Sequence, residues 1–165
     1  MDIFPLTLVK MSTMATIIKG KRKFHMTPWE ILGGKEFVPA EPVSVLDYVR
    51  AGNKGIQKQS LIRLAEVMEV PMKDMATLLN ISYKTLGRKK LTDTLDILSS
   101  SLSIEIAATI SKGLSVFEDT SKLNRWLQKE NRALQGKKPI DFLNTPTGIK
   151  MINHLLARIE EGIYT

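Results

Sequence analysis

The chain has 165 residues, 43% of them hydrophobic but only 6% aromatic, and no cysteine. That length suits one compact domain or two small ones, and a core built mostly from Leu, Ile, Val, Met and Ala points to packed helices rather than a β-sandwich. The missing cysteine excludes disulfides, thiolate metal sites and thiol nucleophiles, while a formal net charge of +7 favours an acidic partner such as nucleic acid.

Residues 1–42 show no clear period. Met11 and Met14 offer alternative starts, Lys19 to Lys23 form a basic knot, and Gly33, Gly34, Pro39 and Pro42 punctuate the rest, so the stretch reads as an irregular N-terminal extension, flexible or ordered by a partner. Asp2 and Lys10 interrupt its apolar start, which lacks the long apolar centre and cleavage site of a signal peptide. No apolar run approaches the roughly 20 residues that span a bilayer. The expected location is the cytoplasm, with no membrane contact.

Organisation improves at Val45. A short helix is expected over Val45 to Ala51, closed by Gly52 and Gly55, and the next carries Leu61, Leu64, Ala65 and Met68 on one face, at spacings of three, four and seven. Pro71 marks a new start, followed by a helix with Met72, Met75, Ala76 and Leu79, a turn at Asn80-Ile81, and a further helix from Ser82. A polar stretch is expected from Arg88 to about Ser101, with Ser103 as the cap of a helix bearing Ile106, Ala107, Ile110, Leu114 and Phe117. Asp119 to Ser121 offer a cap for a helix with Leu123, Trp126 and Leu127, residues 136–139 break the pattern, and Ile140 to Leu143 form a single turn. Thr145 and Pro146 read as N-cap and first helical residue of a last helix carrying Ile149, Ile152, Leu156, Ile159 and Ile163, which Gly162 can end, leaving Ile163, Tyr164 and Thr165 as an extended tail. The fold class is all-α.

The segment Met72 to Lys89 has the chemistry of a helix-turn-helix. Met75 and Leu79 supply the buried side of the first helix, Ala76 is small enough for close crossing, and Asn80 tolerates the left-handed backbone that the turn needs. Ile81 and Leu86 pack under the second helix, and Ser82 caps it with amides free for a phosphate. Its outward face would present Ser82, Tyr83, Lys84, Thr85, Arg88 and Lys89 to DNA, the cations neutralising phosphates and Arg88 able to bond guanine. Gly87 inside this helix costs about 1 kcal/mol relative to alanine, and Lys89 stands where the motif usually has an apolar residue.

The last thirty residues carry the more specific pattern: Gly136, Lys138, Pro139, Phe142, Leu143, Thr145 and Gly148, then Leu155, Arg158, Ile159, Glu160, Gly162 and Tyr164. This resembles the toxin-binding domain of Xre/MbcA/ParS-like antitoxins of Xre–RES type II toxin–antitoxin systems, and the resemblance extends back to about Val45. It implies an irregular extension over 1–42, an Xre-like helix-turn-helix domain over 43–117 and a toxin-binding domain over 118–165. The implied partner is a RES-fold toxin that degrades NAD or transfers ADP-ribose from it, neutralised by a C-terminal helix and tail placed over its active site. The implied toxin-binding residues are Arg158, Ile159, Glu160, Glu161, Gly162, Ile163, Tyr164 and Thr165. Autorepression through operator DNA and a homodimer that joins toxin in a hetero-oligomer belong to the same expectation. The competing reading is a free-standing dimeric transcription regulator whose C-terminal domain only dimerises.

No acid, base and nucleophile set suggests an enzyme. With two distant histidines, His25 and His154, and no ligand-spaced carboxylates, no metal or cofactor is expected. Trp29 stands in the irregular stretch as a candidate docking anchor, and Trp126 reads as core.

Overall fold

The computed structural model describes residues 25–36 and 41–163. The alternative starts, the basic knot, Tyr164 and Thr165 lie outside the described residues. The expected all-α class holds: among the described residues the regular structure is helical, with one isolated antiparallel bridge between Gln57 and Thr94.

Part of the stretch expected to be irregular is an ordered piece of the core. Helix α1 (Pro28–Ile31) starts at a capping box in which the Thr27 hydroxyl accepts from the Glu30 amide and the Glu30 carboxylate accepts from the Thr27 amide. Trp29, Ile31 and Leu32 are buried, so Trp29 is a packing residue rather than an exposed anchor. A four-residue helix is too short to show a period, and its one sequence signal is the cap.

Helix α2 (Val45–Lys54) begins at a second capping box, Ser44 with Asp47, and runs past Gly52 rather than ending there. Gly52 lies where α2 meets the long helix α6 (Ile97–Phe117), and a Cβ on it would come within 2.9 Å of the Ser101 hydroxyl. Gly55, at φ 87°, closes α2 instead. Helix α3 (Lys58–Met68) buries Leu61, Leu64, Ala65 and Met68, as its spacing requires.

The largest departure from expectation is the start of α6. The stretch after Arg88 is not polar loop to Ser101: Asp96 caps the helix, its carboxylate taking the Ser99 amide and hydroxyl. Those hydrogen bonds, the Ser99 amide foremost, hold the Asp96 carboxyl below its ordinary range. Ser99, Ser100 and Ser103 are buried. The Ser103 hydroxyl donates to the Ser99 carbonyl, and Ser100 donates to the Leu95 carbonyl while accepting from the Ile56 amide. Serines satisfied in this way bury at little cost.

Helices α1, α2, α3, α7 (Thr120–Gln128) and α8 (Pro146–Glu160) all pack against α6. A single apolar cluster runs from Ile31 to Leu156, across position 118. Asp119 caps α7 and Thr145 caps α8, with Pro146 in its first turn. Among the described residues no helix is long and apolar enough to cross a membrane.

Candidate functional site

Two surfaces carry the residues singled out in the sequence. The first is the pair α4 (Met72–Leu78) and α5 (Tyr83–Arg88), joined as expected by a turn in which Asn80 has φ 56° and the Ile81 amide bonds the Ala76 carbonyl. Met75, Ala76, Leu79 and Leu86 are buried beneath it. Ser82 caps α5 by accepting from the Thr85 amide, and Ser82, Tyr83, Lys84, Thr85 and Arg88 are all exposed.

Lys89 departs from that set. It is half-buried, and its ammonium donates to the Thr94 carbonyl at 2.8 Å, which is why a lysine is tolerated at a position usually apolar: the stem packs and the head fastens the following loop.

The second surface is the C-terminal end of α8. Arg158 and Glu160 are exposed in its last turn, with Ile159 half-buried between them. The helix then reverses: the Gly162 amide bonds the Ile159 carbonyl and the Ile163 amide bonds the Arg158 carbonyl, with Gly162 at φ 74°. These are the two bonds of a Schellman motif, which needs a residue at positive φ. Ile163 is therefore folded back against the helix end, not the first residue of an extended tail.

The reversal makes Arg158 to Ile163 one wall of a cleft of about 550 Å³, whose other walls are the end of α6, α7 and the turn at 131–133. Phe117 and Trp126 lie side by side in its lining, in tilted contact with ring centroids 5.5 Å apart. Sequence reasoning missed this cleft; Trp126, read as core, does pack against the core cluster but is only half-buried and also lines the cleft. Phe117 and Trp126 come together only because the backbone turns sharply at Glu118, φ 55°, and no residue spacing reports that.

One pattern glycine, Gly148, and a glycine of α6, Gly113, have no room for a side chain. A Cβ on Gly148 would fall on the Phe142 carbonyl oxygen, and one on Gly113 would come within 2.6 Å of Leu123. Gly148 thus lets α8 start directly against the 3-10 turn Pro139–Phe142. The α4–α5 turn is tied to the start of α8, at the opposite end from Arg158, by a bond from the Asn80 amide group to the Asn144 carbonyl at 3.0 Å.

Residues 112–162 match the family model described as the antitoxin Xre/MbcA/ParS C-terminal toxin-binding domain. Over these residues the chain is similar to the Xre/MbcA/ParS antitoxins. The matched span takes in the end of α6, all of α7 and all of α8, and with them the cleft apart from Ile163. A curated relative from Sphingobium sp. (strain YBL2), named "Prs ADP-ribosylating antitoxin", is 24% identical over 161 residues, covering 92% of this chain and 99% of its own. The similarity thus extends beyond residues 112–162 into α1 to α5.

Proposed function

We propose that this chain is the antitoxin of a type II pair and neutralises a RES-domain toxin, one that degrades NAD or transfers ADP-ribose from it, by covering the toxin's active site with the end of α8 and the residues after it, Arg158 through Thr165. The observation that carries this reading is the match of residues 112–162 to a toxin-binding domain, since those residues include the exposed Arg158, Glu160 and Glu161. A charge desolvated at an interface and paired there fixes register, and removing one member costs several kcal/mol. The test is growth rescue and NAD consumption in cells expressing the toxin encoded beside this chain. Deleting residues 162–165, or changing Arg158→Ala with Glu160→Ala, is expected to release the toxin while thermal unfolding of the chain is little changed. Full neutralisation by both variants sinks the covering role.

The same chain acts as autorepressor in this reading, α4 and α5 forming the helix-turn-helix that meets operator DNA through Ser82, Tyr83, Lys84, Thr85 and Arg88. Their exposure together at one short helix supports it. Arg88→Ala should weaken operator binding by about 1–3 kcal/mol, and affinity should fall steeply with salt; a flat salt response counts against it. The dimer such binding calls for has apolar surface available on α2, where Val45, Leu46 and Val49 are exposed. A free-standing regulator would share the α5 surface and differ in having no toxin gene beside it.

A further inference from the structure

We infer that the cleft between the end of α6, α7 and the end of α8 is a socket that receives an apolar segment of the toxin, so that the antitoxin takes in part of its partner as well as covering it. The inference rests on the toxin-binding reading above and adds the concave side of the same module, which shares Arg158, Ile159, Glu160 and Ile163 with the covering surface.

Three observations carry it. Every cleft residue except Ile163 lies inside the span matched to a toxin-binding domain, so the concavity is built from that module. Its lining mixes polar residues with large apolar side chains that are not fully covered. Phe117, Trp126, Leu155 and Ile159 are each only half-buried and Ile163 is 48% exposed, and apolar area left in water is a standing gain for any partner that covers it. At about 550 Å³ the space lies within the roughly 300–1,000 Å³ of sites that engulf a drug-sized ligand. It therefore holds a cluster of side chains from a helix turn or loop rather than a single methyl group.

The rim decides what kind of partner fits. Lys122 and Arg158 share it with Glu118 and Glu160, and the ion pairs found among the described residues, Arg50 with Asp47 and Arg63 with Glu66, involve none of these four. A nucleic acid or an anionic bilayer would select one sign of charge. A rim of both signs around an aromatic floor fits a protein segment: an aromatic or branched aliphatic cluster flanked by side chains of either charge.

The test uses the full chain and the purified toxin encoded beside it, with affinity measured by calorimetry. Ala133→Trp fills the cleft from an exposed position without removing any packed atom, and Ile163→Ala strips the opposite wall beyond the helix end. Ala133→Trp is expected to weaken binding at least tenfold and Ile163→Ala severalfold, with melting temperatures near that of the parent chain. Parent-like affinity, within twofold, in both variants overturns the socket while leaving the toxin-binding reading standing. If the unaltered chain fails to bind that toxin, the broader reading falls and the socket falls with it.

Discussion

Gly148, in the first turn of α8, and Gly87, in α5, are both helical glycines, and the space around them separates the two surfaces that would meet partners. A side chain at Gly148 would run into the Phe142 carbonyl, whereas a Cβ at Gly87 would have nothing within 4 Å. The C-terminal module is an interlocked body in which backbone meets backbone. Helix α5 is a short ledge with one buried side chain, Leu86, held at its start by Ser82 and followed by a loop that Lys89 fastens. A rigid module presents a preformed surface at little entropic cost, while a ledge adjusts as it binds.

The comparison breaks first, and hardest, at Gly148. Gly148→Ala should cost about 3 kcal/mol, the upper range for overpacking a closed site, and lower the thermal midpoint by roughly 6–12 °C for a chain of this size. A midpoint unchanged on calorimetry would mean that the module is not interlocked. Asn80 is next, because it joins the two regions. Asn80→Ala should cost about 2 kcal/mol through a positive φ that alanine tolerates poorly and a lost bond to Asn144. Asn80→Gly, which relieves the backbone, should lose under about 1 kcal/mol in urea unfolding.

Asp96 tests the serine-rich start of α6. Asp96→Ala should cost about 1 kcal/mol at neutral pH as a lost cap. Because folding lowers the Asp96 pKa, its stabilisation is complete above the ordinary carboxylate range and is lost as pH falls through the depressed folded value. Urea midpoints of parent and variant should therefore converge in acid. The smallest effect, and the only gain, is Gly87→Ala: about 0.5–1 kcal/mol more stable, since nothing crowds the site and its φ is not positive.

Much of this was legible in the residues. The stripes of α3 and α8, the Asn80 turn and the Thr145-Pro146 start are local chemistry, and local chemistry is what a sequence writes down. The serines of α6 misled because a hydroxyl reads as solvent-facing until its acceptor is known, and the acceptors here are carbonyls one turn back. Helix α1 was hidden by its length. The cleft was hidden for another reason: its floor joins residues from two helices whose approach depends on one sharp turn at Glu118. The chemical character of Arg158 and Glu160 was readable, but not that the chain curls back at Gly162 to give them a concave side.

The hydroxyl of Ser111, in the middle of α6, donates to the carbonyl of Met26 at 2.6 Å, and this sets a limit on trimming. A recombinant version cut after Phe24 keeps that acceptor, the Thr27 cap and the Trp29 plug. One cut after Leu32 would strand a buried hydroxyl, at about 1–3 kcal/mol, and open a hole above α6. Expression tags and fusions therefore belong ahead of His25.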